Sequence, residues 1–140
     1  MAGNWFPEDY KTFPFQEGDV LASQKEDEKY GLNKVLRIDK VMLKEGDSIN
    51  IQGQIFTAPE DDFLLIISMS YGEADFATLD DAILAAKAGE WNVKMGHAPN
   101  RSPGAAAGQV LVGHQPVSDS ELTGYNQWKE LFETGKAGVF

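Results

Sequence analysis

The apolar run Phe63-Leu64-Leu65-Ile66-Ile67-Ser68-Met69, continuing to Tyr71, constrains the fold more than any other stretch of this chain. It is far too short to cross a bilayer, which takes about 20 apolar residues as a helix. A short continuous run rich in aliphatic residues, entered from Pro59 and the acidic Glu60-Asp61-Asp62, reads as a central β-strand. The rest of the chain then has to supply its neighbours. The 140 residues, 42% of them hydrophobic, suffice for one domain with one core, residues 1–140.

Turn signals mark out those neighbours. Gln16-Glu17-Gly18-Asp19 and Lys44-Glu45-Gly46-Asp47 repeat the pattern x-Glu-Gly-Asp, each time before a strand-like run. Glycine supplies the positive φ such turns need, and aspartate binds nearby backbone N–H groups. The first turn introduces Val20 to Ser23; Glu26-Asp27-Glu28 makes a tip, and Tyr30 to Ile38 returns as the second arm of an antiparallel hairpin. After Gly46, Ile49, Ile51 and Ile55 share one phase with Gly53, while Ser48, Asn50, Gln52 and Gln54 take the other. That alternation predicts one half-buried strand bent or bulged at Gly53. Trp91, Val93 and Met95 alternate as a further strand, and Gln109 to Gly113 reads as another.

Two helices are expected, over about 78–88 and 121–134. Thr78 with Asp81 forms an N-terminal capping pair, Gly89 a stop, and Leu79, Ala82, Ile83 and Ala86 an apolar stripe. In the second, Ser118 with Glu121, or Thr123, supplies the cap; Tyr125, Trp128, Leu131 and Phe132 line one face, and Gly135 closes it. The expected class is α+β: a mainly antiparallel, strongly curved or partly closed sheet with two helices.

Charge bounds the partners. Twenty-two acidic against 12 basic residues give a net charge of -10, which disfavours nucleic acid and anionic membranes and suits a basic protein. With no cysteine there is neither disulfide nor thiolate chemistry. The opening residues have no basic start followed by an apolar stretch, so a cytoplasmic location is the expectation.

The two histidines, His97 and His114, sit in matching frames, Gly96-His97-Ala98-Pro99 and Gly113-His114-Gln115-Pro116. A hairpin would bring them together, with Asp119 or Glu121 as a third metal ligand. The chain lacks His-x-x-x-His or His-x-His spacing, however, and the expectation is two similar turns around an exposed loop, with no metal or cofactor. Gly104-Ala105-Ala106-Ala107-Gly108 has no following Lys-Ser/Thr, so it is not a phosphate loop; its small residues let the backbone pass close to another element. Ser68 and Ser70 lie in the core strand rather than on a nucleophile elbow. An enzyme is not expected.

The segment Glu17 to Val41 resembles the opening hairpin of bacterial toxin-immunity proteins of the immunity-protein-26 type: Gly18-Asp19 starts a strand, Tyr30-Gly31 forms the aromatic-glycine pair, and a basic-apolar strand returns. The resemblance implies a cytoplasmic, non-catalytic inhibitor of a cognate toxin and carries over no defined site residues. The leading reading is therefore an immunity protein that occludes a toxin's active site through an acidic surface. Its contact candidates are Glu26, Asp27, Glu28, Glu60, Asp61, Asp62, Glu73 and Asp75, with His97, Asn100, Arg101 and His114 from the loop. The alternatives are a small hydrolase or ligand-binding domain with a His97/Arg101/His114 pocket, and a structural subunit of a larger complex. The oligomeric state is left open.

Overall fold

The computed structural model describes residues 6, 8–89, 92–102 and 104–139. The two x-Glu-Gly-Asp stretches fold into one and the same turn. Gly18 and Gly46 take φ of +92° and +90°, and the aspartate that follows each accepts a backbone N–H three residues back. Gln16 donates to Asp19 at 2.8 Å and Lys44 to Asp47 at 2.9 Å. The first turn launches β1 (Asp19–Gln24), which pairs antiparallel with β2 (Tyr30–Leu43) around the expected tip. The second launches β3 (Ser48–Ile51).

Here the single-strand expectation fails. Gln52 and Gly53 both have positive φ, +52° and +82°, and form the two-residue turn of a tight hairpin to β4 (Gln54–Thr57). Gly53 serves this turn rather than a bulge. The turn inverts the even–odd phase: Ile49 stands opposite Phe56 and Asn50 opposite Ile55, so Ile55, expected to share a face with Ile49 and Ile51, lies on the other face and is exposed.

The apolar run becomes the core of β5 (Asp62–Phe76), paired along almost its whole length with β2. Thr78 Oγ1 caps α1 (Leu79–Ala88) by accepting the Asp81 N–H at 3.2 Å, and Gly89, at φ +71°, ends it. β6 (Val93–Arg101) and β7 (Gln109–His114) follow; Trp91, expected at the start of β6, lies outside the described residues. The second helix is α2 (Thr123–Glu133), entered through a 3-10 turn over Asp119–Leu122. There the Ser118 N–H donates to Glu121 Oε1 at 3.0 Å.

The main sheet is five-stranded and open, in the order β6-β5-β2-β1-β7, with every pair antiparallel and bulges in the β1–β7, β2–β5 and β5–β6 pairings. The fold is α+β, as expected. On one face, Val20, Ala22, Leu32 and Val112 pack against Ala82 and Ala86 of α1. Further along the same face, Leu64 and Ile66 meet Ile49 of the β3–β4 hairpin and Trp128 of α2. The alternate residues, Leu21, Val35, Ile67 and Met69, point to the far face and are covered by Phe13, Phe15 and Ala105.

Ala105 belongs to the short connection from β6 to β7. These two strands occupy opposite edges of the sheet, so they form no hairpin, and the connection crosses the far face. Alanine and glycine over 104–108 let it lie close. Residues 96–101, expected to open an exposed loop, are instead the second half of β6.

Candidate functional site

His97 projects from β6 onto the helical face. Its Nε2 lies 2.9 Å from Ser68 Oγ, and its ring packs against Trp128 and Tyr125 at centroid distances of 5.3 and 6.0 Å. Gly124 makes this approach possible, since a Cβ there would stand 2.9 Å from the His97 Cβ. Burial pushes the imidazole down to about 4 against a weaker opposing pull from Asp39. The ring is therefore neutral near pH 7. Asp39, on β2, takes the Tyr125 hydroxyl on both carboxylate oxygens at 3.1 Å and Lys129 Nζ at 3.1 Å. Burial first, and then Asp39, raise the Tyr125 phenol to about 12.

The Ser68–His97 pair has the contact of a nucleophile and its base but not the access. Ser68 is wholly buried in the central strand, so a substrate has no route to its oxygen. The pair closes a core hydrogen bond.

His114 is on the other edge, with three strands between, about 19 Å across the sheet at the usual strand spacing. Its Nδ1 lies 2.8 Å from Asp19 Oδ1, and its ring leans on Gly18, where a Cβ would come within 2.8 Å of it. The expected His97/Arg101/His114 pocket is therefore not formed. Two histidines in one sequence frame end on two different edges.

Arg101 stays on the His97 side. Its Nη1 donates to the Tyr10 hydroxyl at 3.3 Å, and its guanidinium stands 5.7 Å from the Tyr10 ring centre. A cleft of about 590 Å³ runs between the β3–β4 turn and α2, walled by Asn50, Gln52, His97, Pro99 and Trp128. A second, of about 540 Å³, adjoins it at Gln52 and is bordered by Phe6, Tyr10, Phe56 and Arg101. Asn100 instead donates to Tyr71 at 2.8 Å and to the Ala98 carbonyl at 3.3 Å. The signal for Tyr125, Trp128 and Asp39 as partners of His97 was absent locally, because all three arrive from distant elements.

The acidic candidates divide between the two ends of β5. Asp75 stands opposite Gly31 and pairs with Lys25 of the β1–β2 tip. Glu26, Asp27, Glu28 and Glu73 are therefore exposed at that same end. The hydrogen bond from Lys25 holds Asp75 below the usual carboxylate range, with further help from the charges of Lys25, Lys29 and Lys94.

Glu60, Asp61 and Asp62 lie at the opposite end of a 15-residue strand, roughly 45 Å away if it were straight. One continuous acidic surface from Glu26 to Asp62 is thus excluded. Asp62 is not a contact residue at all. It is buried, accepts the Phe6 and Phe63 N–H groups and pairs with Lys11 Nζ at 3.0 Å. Burial alone would raise its pKa; the Phe6 bond and then Lys11 outweigh it and hold the carboxyl low. Asp61 Oδ1 accepts the Glu45 N–H at 2.9 Å, which sets exposed Glu45 and Asp47 beside Asp61. Sequence reasoning missed these two as surface acids, although the second x-Glu-Gly-Asp turn contained them.

Among the described residues, no three histidine, aspartate or glutamate side chains converge as a metal site, and no helix is long and apolar enough to cross a membrane. No protein-family model, curated protein or solved structure matches the chain.

Proposed function

We propose that this protein is a non-catalytic inhibitor that binds a basic protein, a cognate bacterial toxin, in the cytoplasm and occludes its active site. The observation that supports the reading is the excess of acidic over basic side chains at one exposed end of the sheet, where Lys25, Lys29 and Lys94 also stand. There the hairpin tip carries Glu26, Asp27 and Glu28 beside Glu73, in a chain of net charge -10. Charges on such a rim act mainly by steering encounter, so their signature is an association rate that falls with salt. The burial of Ser68 supports the same reading, since it withdraws the serine that His97 touches from any substrate.

The test is coexpression with the neighbouring gene product, followed by association kinetics at two salt concentrations. The expected result is rescue from toxicity, and slower association for the triple variant Glu26→Lys, Asp27→Lys, Glu28→Lys. Lack of rescue, or an association rate indifferent to the triple change and to salt, overturns the proposal.

A second reading rests on the adjoining clefts at Gln52, bordered by His97 and Arg101: a ligand-binding domain whose pocket lacks His114. Gln52 is exposed at the hairpin turn, so Gln52→Ala should weaken a bound small molecule without unfolding the chain. Fragment screening by amide chemical shifts, with no shifts around Gln52, would remove this reading.

A further inference from the structure

Three clefts meet at Gln52. Besides the two already described, a third of about 450 Å³ shares Tyr10, Gln52 and Arg101 with the second and reaches Asn100 and Ser102. Their charge sets them apart from the rest of the chain. The protein carries 22 acidic residues, yet among the described residues no aspartate or glutamate lines any of the three, and Arg101 is the one lining side chain with a formal charge at neutral pH. Asp62, which accepts the Phe6 N–H, is buried and paired with Lys11. Glu8 and Asp9 precede Tyr10 in the chain but line none of the clefts.

The second cleft joins a cation to an aromatic wall. Tyr10 stacks on Phe6 at a centroid distance of 5.8 Å, and Phe6 meets Phe56 at 5.3 Å. Phe6 is buried between the other two rings, which are half-buried and border the cleft. Arg101 stands at the Tyr10 end, with Nη1 on the hydroxyl and the guanidinium 5.7 Å from the ring centre. Both contacts orient the cation before anything binds. A guanidinium has five N–H donors in a planar fork that matches a carboxylate, more than the bond to Tyr10 uses. The cleft's volume of about 540 Å³ falls within the range of small-molecule sites, roughly 300–1,000 Å³.

We infer that these clefts bind a small carboxylate with an aromatic body, its carboxylate on Arg101 and its ring against Tyr10 and Phe56. The inference rests on the second reading above, a ligand site at Gln52, and names the class of ligand. Charge selects that class. A cationic ligand would meet Arg101 with no acid in the lining to offset the repulsion, and a neutral one would leave the strongest donor of the site without a matching acceptor. The net charge of -10 acts weakly here, because exposed charges beyond about 8 Å are screened at physiological salt, whereas Arg101 belongs to the lining itself. The wall selects the body, since stacked or tilted ring contacts add to the gain from buried area. Gln52, which borders all three clefts, contributes a neutral carboxamide.

The experiment is an NMR titration of the full chain with a panel of monocyclic and bicyclic aryl carboxylates, each paired with its primary amide. The expected result is shifts of the Tyr10, Gln52 and Arg101 backbone amides, with the acids bound about tenfold tighter than their amides, as one hydrogen bond to a charged group implies. Arg101→Gln should bring acid and amide to the same affinity, and Gln52→Ala should weaken both. The acid–amide comparison is made on the natural chain and so does not depend on the folding of any variant. Acids and amides that bind the natural chain equally overturn the carboxylate assignment and leave the second reading standing. So does acid binding unchanged in an Arg101→Gln variant that keeps the spectrum of the folded chain. A panel that moves no amide around Gln52 overturns both. None of these outcomes bears on the acidic tip, which is tested separately.

Discussion

His97 and His114 share the frame Gly-His-x-Pro and almost nothing else. His97 is walled by Trp128 and Tyr125, bonded to a wholly buried serine and depressed to about 4. His114, on the far edge, keeps 54% of its side chain exposed and touches one carboxylate. The frame says only that a histidine stands next to a glycine and two residues before a proline. What the ring does is set by which face its residue takes and what covers that face. His97 points to the face under α2, whereas α1 packs on β7 at Val112 and Gly113, and His114, the next residue, points to the opposite face. A shared local motif is therefore no evidence of a shared role, nor of proximity.

The largest test of this contrast is Trp128→Ala. Trp128 is 8% exposed, stacks on Phe132 at 4.8 Å and donates its indole N–H to the Gly138 carbonyl at 2.8 Å. Deleting the ring should cost about 3–5 kcal/mol in chemical denaturation. It should also admit water to His97 and raise its titration midpoint, followed by NMR. A variant that loses stability while the His97 midpoint stays near 4 would show that Trp128 is not what desolvates the imidazole.

His97→Ala comes next. It leaves the Ser68 hydroxyl without its partner and opens a gap beside two aromatic rings, for a loss of about 1–3 kcal/mol. The pH dependence has a definite sign. The unfolded chain takes up a proton on this histidine below about 6.5, while the folded chain resists until about 4. Stability from this group is complete above the unfolded value and is lost as pH falls through that window. His97→Gln should flatten the stability curve between those two pH values. The carboxyls held low, Asp62 and Glu121, are lost to protonation below the ordinary carboxylate range, so their losses fall at lower pH. A curve unchanged by His97→Gln would break the assignment.

How much of this was legible in the sequence follows from how local each determinant is. The Thr78 cap, the Gly89 stop, the Ser118–Glu121 pair and both Gly-Asp turns are decided within four residues, and each forms. The turn at Gln52-Gly53 is equally local, but the apparent alternation of Ile49, Ile51 and Ile55 disguises it, although the turn places Ile55 on the opposite face. The placement of β6 and β7 on opposite edges has no local trace. It is a choice of pairing partners, and it decides whether His97, Arg101 and His114 meet. Asp62 misled for the same reason. Within Glu60-Asp61-Asp62 it looks like a solvated acid, and only Phe6 and Lys11, far away in sequence, explain why it is buried.

Gly18→Ala probes the His114 side through the backbone. The φ of +92° is one that an alanine adopts only with strain, and its Cβ would lie 2.8 Å from both the Gln115 carbonyl and the His114 ring. The ring is exposed and can swing away; the carbonyl, which belongs to the residue whose N–H donates to the Gly18 carbonyl at 2.9 Å, cannot move as freely. A loss of about 1–3 kcal/mol is expected, measured as a fall in the denaturation midpoint. Repeating the change in a His114→Ala background separates the two clashes. If the double variant recovers the stability, the ring was the obstacle, and the edge is more rigid than its exposure suggests.

The smallest effect should come from His114→Ala alone. An exposed ring with one hydrogen bond is worth roughly 0.5–1 kcal/mol. Its partner limits the loss, because Asp19 keeps its second carboxylate oxygen on the Gln16 N–H at 2.8 Å whatever happens to the ring. The turn that launches β1 therefore survives, and the denaturation midpoint should shift several-fold less than for His97→Ala. Equal losses at the two positions would mean that the frame, and not the face, determines what these histidines contribute.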